Sequence, residues 1–220
     1  MTLAGDRGPK FRRRASARPD EVLDAALALF RERGFAATRV EDIGKRAGIS
    51  KGAVYLYFPS KEAIIEALVR RAAVPIADTA LQFIQGFEGD PRQVLSMVFR
   101  MLAQRLSDPE LLAIPSLVMR EVASFPHLAV MYRREVLDRV IPVFVGLLER
   151  GMAAGYLRKV DAELTVRSMI GPIMLHIALA QVFGMKPTDG LALDRLVENH
   201  LTILFDGLAV PQPSGEPSHE

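Results

Sequence analysis

The sequence contains no cysteine, which removes disulfides, thiol chemistry and cysteine-based zinc sites from consideration. It also lacks a long apolar run. The longest, Met169–Ala180, includes His176 and falls short of the about 20 residues that a membrane span needs. Its opening has no apolar stretch resembling a secretory signal, so the expectation is a soluble cytoplasmic protein with no membrane partner. His127, His176, His200 and His219 are scattered without metal-ligand spacing. There is no compelling Ser/His/Asp order, glycine-rich phosphate loop or pair of carboxylates. No catalytic residue, metal or cofactor is therefore assigned, and an enzyme is not expected.

Charge is unevenly placed. Residues 1–62 hold 13 Lys and Arg against 8 Asp and Glu, and residues 63–220 hold 15 against 18, so the net +2 conceals a basic end. That asymmetry suits a nucleic-acid partner, although a charge run alone often marks a solvated face. Residues 1–18 combine five Arg with Gly and Pro and little apolar content, the composition of a disordered arm. Lys10, Arg12, Arg13 and Arg14 could follow a minor groove or merely add solubility.

From Pro19 to Arg33 the pattern is helical. Asp20 and Glu21 suit the first turn of a helix, Val22, Ala26, Leu29 and Phe30 share one face, and Gly34 supplies a stop. Thr38 and Glu41 have the spacing of a capping box, with Val40, Ile43 and Ala47 on the face behind it. Gly48 suits the positive φ of a helix end, Ile49 can plug the angle between two helices, and Ser50 caps the next one. In Lys51–Phe58, Val54 and Phe58 lie one turn apart and point inward. Lys51, Gly52, Tyr55, Leu56 and Tyr57 are left outward. Glycine costs a helix about 1 kcal/mol relative to alanine, so this face is built for close contact rather than stability. Ser60, after Pro59, caps a fourth helix. Lys61 opposes the dipole in its first turn, as if placed for an anion, and Pro75 should break or kink this helix near Ala73–Val74.

The string Ile43-Gly44-x-x-Ala47-Gly48-Ile49-Ser50-x-Gly52-x-Val54-Tyr55-x-Tyr57-Phe58-x-Ser60-Lys61-Glu62 resembles the DNA-binding signature of the TetR (tetracycline-repressor) family of bacterial regulators. The resemblance covers roughly residues 20–66, and Gly44 stands where the family usually has Ala. It implies an all-α fold of about nine helices: a helix-turn-helix head over 19–66 and a helical effector-binding and dimerisation body over 67–208. Residues 209–220 have the composition of a disordered tail. The implied function is a homodimeric repressor on double-stranded DNA, with half-sites roughly 34–36 Å apart, released by a small apolar or amphipathic effector. Ser50, Tyr55, Tyr57 and Lys61 would bond phosphates, Lys61 by its match to a phosphate-contacting lysine of the family. Lys51 would read a base edge such as guanine, and Leu56 would touch a thymine methyl. Gly52 and Ala53 let the helix sit deep, while Thr38 and Arg39 are further contacts.

In the body, Asp90-Pro91 and Asp108-Pro109 each read as N-cap plus first-turn proline, starting helices over 91–106 and 109–123. Another runs from Pro126 to Ala153 with a kink at Pro142, one from Asp161 to Phe183, and a last from Leu191 to Phe205. Phe83, Met97, Met101, Met119, Phe125, Phe144, Met169 and Met174 recur along these helices, with His176 among them. Such residues suit an adaptable effector pocket, although taken singly each is more often part of an ordinary core. By resemblance, the last two helices of each subunit form a four-helix dimer interface through Met169, Ile173, Ile177, Leu193, Leu196, Val197, His200, Leu201 and Leu204. An intramolecular core is the alternative. An activator, an architectural binder without effector, and a helical carrier or enzyme with an incidental head also remain open.

Overall fold

The computed structural model describes residues 10–209, with side chains from Pro19 onward. All of its regular structure is helical: α1 (Lys10–Ala37), α2 (Val40–Arg46), α3 (Lys51–Tyr57), α4 (Lys61–Ile84), α5 (Pro91–Leu106), α6 (Pro109–Glu121), α7 (Pro126–Tyr132), a π-helical turn (Arg133–Leu137), α8 (Asp138–Ala153), α9 (Ala162–Gln181) and α10 (Leu193–Leu208). Because α7, the π turn and α8 follow without a break, the described residues form nine rods, as expected. The chain divides into a head ending at Arg71 and a body starting at Ala72, with the division inside α4.

The head closes around Val22, Phe30, Phe35, Ile43, Val54 and Ile64, each fully buried, and the rings of Phe30 and Phe35 meet edge to face at 5.2 Å. Gly34 takes φ 81° and interrupts α1 where a stop was expected; a side chain is strained in that region. Ion pairs Arg46–Glu32 at 2.6 Å and Arg33–Asp42 at 3.4 Å pin α2 to α1. The backbone of α1 reaches back through Pro19 to Lys10, so Lys10–Arg18 is helical instead of an arm. The remainder of the expected arm, residues 1–9, and the expected tail from 210 onward lie outside the described residues.

Three local expectations are corrected. Helix α2 starts at Val40 after Arg39, which makes no side-chain cap. The Thr38 hydroxyl donates backwards instead, to the carbonyls of Gly34 at 2.7 Å and Leu29 at 3.4 Å. A threonine hydroxyl can satisfy a preceding carbonyl as readily as a cap, and burial of Thr38 beside the α1 turn decides which. Second, α4 passes Pro75 without a break. Pro75 is solvent-exposed, so the carbonyl deprived of a donor one turn earlier can meet water, and the interruption is tolerated. Third, α8 continues unbroken through Pro142. The irregularity falls one turn earlier, in the π turn that ends next to Asp138, the residue whose carbonyl Pro142 cannot serve.

Caps read from the sequence hold. Asp90, Asp108 and Asp161 accept from the amides of Arg92, Glu110 and Leu164 at 3.0, 2.8 and 2.9 Å. The Arg92 guanidinium also grips Asp90 and holds its carboxyl below the usual range. The body core is built on Ile84, Val98, Phe99, Leu147, Val166 and Ile177. Helix α9, 20 residues long, is long and apolar enough to cross a membrane by length and composition alone. Its Val166, Met169, Ile173 and Ile177 are packed within the body core.

Candidate functional site

Helix α3 is held by very few residues. Its N-cap Ser50 accepts from the Ala53 amide at 3.1 Å, as expected. Val54 is fully buried, and Phe58, just past the helix end, is 9% exposed. Of the rest, Ala53 and Tyr57 are half-buried, Lys51 and Gly52 are exposed, and Tyr55 is 45% exposed and Leu56 84%. A leucine left almost entirely in water contributes nothing to folding, and its neighbours there are a cation, a phenol and a glycine. A Cβ added at Gly52 would meet only the Ser50 Oγ, at 3.9 Å, so the fold does not require glycine at this position. Arg39, Lys51, Tyr55 and Ser60 line one groove between the starts of α2, α3 and α4, of about 450 Å³. Glu41 and Glu62 also line it, so it suits a strand of phosphates only along the side that carries Arg39, Lys51, Tyr55 and Ser60.

Two of the expected contact residues are used inside the head. Thr38 is 1% exposed. Lys61 donates from Nζ to the carbonyls of Phe35 at 2.7 Å, Thr38 at 3.0 Å and Ala36 at 3.2 Å, and lies 4.3 Å from the Phe35 ring centroid. An ammonium has three protons, and three carbonyls take them. Lys61 is a tie from the start of α4 to the end of α1. Its position against the dipole, read as a place for an anion, reflects these carbonyls at the end of α1.

The body contains a cavity of about 350 Å³. Helix α4 contributes Ala72, Ala73, Ile76, Ala77 and Ala80, and α9 contributes Ile170, Ile173, Met174 and Ile177. The end of α7 and its continuation contribute Tyr132, Val136, Val140, Ile141 and Phe144. Of the expected effector residues, Phe144 and Met174 are in this wall and the others are not. Met169 is fully buried in the core, Met101 and Met119 pack against it, and Phe83 and Met97 are 39% and 42% exposed. Phe125 meets His127 edge-on at the start of α7, and His176 Nε2 donates to the Leu191 carbonyl at 2.5 Å. Composition picks out adaptable side chains but not which of them border a void.

Most of the expected interface residues also turn inward. Met169, Ile173, Ile177, Leu193, Val197 and Leu201 are all buried within one chain, and Leu196 and Leu204 pack against the same cluster. His200 Nε2 donates to the Met169 carbonyl at 3.0 Å. Six of the expected interface residues thus serve the core of their own chain, while Leu196, His200 and Leu204 stay partly exposed. The outward faces of α9 and α10 carry Leu164, Leu175 and Ile203, each more than half exposed.

Residues 22–68 match the family model of bacterial regulatory proteins, tetR family, and residues 88–199 that of the tetracyclin repressor-like C-terminal domain. The chain belongs to the TetR family. It is 29% identical over 206 residues to the HTH-type transcriptional repressor KstR2 of Rhodococcus jostii, covering 89% of this chain and 93% of that one. It is 29% identical over 215 residues to the HTH-type transcriptional regulator RutR of Escherichia coli, covering 90% and 94%. Among solved structures, the SmeT–triclosan complex superposes with a TM-score of 0.76 at 26% identity, covering 93% and 100%; SmeT is the repressor of a Stenotrophomonas maltophilia multidrug efflux pump.

Within this TetR-family head, Gly44 has a local reason. A Cβ there would lie 2.9 Å from the Ile49 carbonyl oxygen and 3.3 Å from Val54 Cγ2, so the turn between α2 and α3 is drawn closer than an alanine leaves room for. Tyr132 was missed at the sequence level. Its one visible sign is a phenol in an otherwise apolar stretch, followed by Arg133-Arg134, which reads as helix surface.

Proposed function

We propose that this TetR-family protein is a cytoplasmic, non-enzymatic, homodimeric repressor whose two copies of α3 enter successive major grooves of a pseudo-palindromic operator. An apolar small molecule in the body cavity releases it. The observation that carries this reading is the outward face of α3, where Leu56 is 84% exposed beside Lys51, Gly52 and Tyr55. Repression rather than activation is favoured by KstR2, which is named a repressor, and by SmeT, which represses an efflux pump. The outward faces of α9 and α10, with Leu175 and Ile203, are the surface for the second copy. Helix α4 forms one wall of the cavity and is the same continuous rod whose start is tied to the head by Lys61. An effector that favours one pose of that rod by about 1–3 kcal/mol is sufficient to shift operator binding.

Lys51→Ala is expected to relax sequence preference, at a cost of about 1–3 kcal/mol on the cognate site. Tyr55→Phe should weaken binding to matched and scrambled duplexes alike, because a phosphate contact carries no sequence information. Polarisation titrations against an operator selected from a randomised pool, and against its scrambled form, separate the two. Equal losses on both duplexes for Lys51→Ala would remove its base-reading role. Gly52→Ala divides folding from function. The free head gains about 1 kcal/mol of helix stability, while operator affinity falls because the added methyl stands between α3 and the duplex. A thermal melt and a titration on the same preparation check both halves.

A further inference from the structure

We infer that the body cavity receives a compact, uncharged, largely hydrocarbon molecule carrying a single oxygen function, and that the Tyr132 hydroxyl is the group that hydrogen-bonds this oxygen and orients the ligand. The inference rests on the reading of the cavity as an effector site and goes further by naming the ligand's chemistry and its anchor.

The cavity's volume of about 350 Å³ is near the lower end of the about 300–1,000 Å³ of small-molecule sites, so the ligand is small. Among the described residues lining it, Tyr132 alone has a side-chain O–H or N–H, and none is charged. A charged ligand group buried there would meet no opposite charge, which makes its desolvation uncompensated. Tyr132 makes no hydrogen bond to another described residue. No fully enclosed side-chain nitrogen or oxygen among the described residues lacks a partner, so this hydroxyl keeps accessible surface, on a side chain that lines the cavity. Burial raises the phenol's pKa above its ordinary value, which keeps it protonated and able to donate. A carbonyl or alcohol oxygen is its matching acceptor.

Local geometry supports the assignment. Tyr132 is the last residue of α7, directly before the π turn Arg133–Leu137. That wider turn brings both Val136 and Leu137 to the lining along with Tyr132. Helices adopt π turns rarely, and often at functional positions.

The test is isothermal titration calorimetry of the full chain with n-decanol and n-decanoate at neutral pH, without DNA. n-Decanol is expected to bind at least about ten-fold more tightly than n-decanoate. Tyr132→Phe should weaken n-decanol by about three- to ten-fold, the loss of one hydrogen bond. Ala73→Leu, which fills the cavity from α4, should abolish n-decanol binding and so locate it. Absent n-decanol binding, equal affinity for n-decanoate, or unchanged affinity in Tyr132→Phe overturns the inference. Operator titrations with and without n-decanol keep the two readings apart. Binding that depends on Tyr132 without any effect on DNA leaves the anchor standing and removes the effector role. Operator release that is indifferent to Tyr132→Phe does the reverse.

Discussion

A chain carrying Leu175→Glu and Ile203→Glu is expected to be a folded monomer whose operator affinity is lower by at least about a hundredfold, the loss that follows when two linked half-site contacts become independent. Both side chains are more than half exposed on α9 and α10, at 59% and 64%, so neither substitution touches the body core. The contrast is Val197→Glu on α10. That position is 1% exposed, and an unpaired carboxylate there should unfold the body instead. Light scattering coupled to size exclusion reads the assembly, circular dichroism the fold, and polarisation the affinity. A double variant that stays dimeric would remove the outward faces of α9 and α10 as the interface.

Lys61→Met separates a structural tie from a phosphate contact. Removing the ammonium leaves the carbonyls of Phe35, Ala36 and Thr38 without their shared donor and takes away the cation over the Phe35 ring. Charged hydrogen bonds contribute about 1.5–3 kcal/mol each. They share one flexible, partly exposed side chain here, so a loss of about 2 kcal/mol in head stability is expected. The slope of log affinity against log salt should not change. A lysine on a phosphate would instead lower it by about 0.9, and that result would restore the contact role. Urea melts followed by a head-specific probe, together with titrations at several salt concentrations, provide both measurements.

Lys61 also shows how far residues alone could be read. Its place in a recurring string marks it as important, but whether an ammonium faces a phosphate or a carbonyl depends on residues more than twenty positions earlier in the chain. Thr38 is similar: a hydroxyl three residues before a glutamate fits a capping box, and only the packing of α1 turns it back to Gly34. Pro75 suggests a break or kink and Pro142 a kink because a missing amide is a local fact. Whether the rod survives depends on what the orphaned carbonyl meets, and that is a property of the surroundings.

By itself, the sequence determined the all-helical class, the Asp and Ser caps, the stop at Gly34 and the outward composition of α3. Each of these depends on side chains within about one helical turn of one another, a distance the chain order preserves. Only the tertiary structure decided which apolar stripe of α9 and α10 is core and which is surface, and which residues border the cavity. A helix with apolar side chains on nearly every face carries no record of which face will meet a neighbour and which will meet water. That assignment is made when α9 packs against α6, α8 and α10, and it put Met169 in the core and Tyr132 at the cavity.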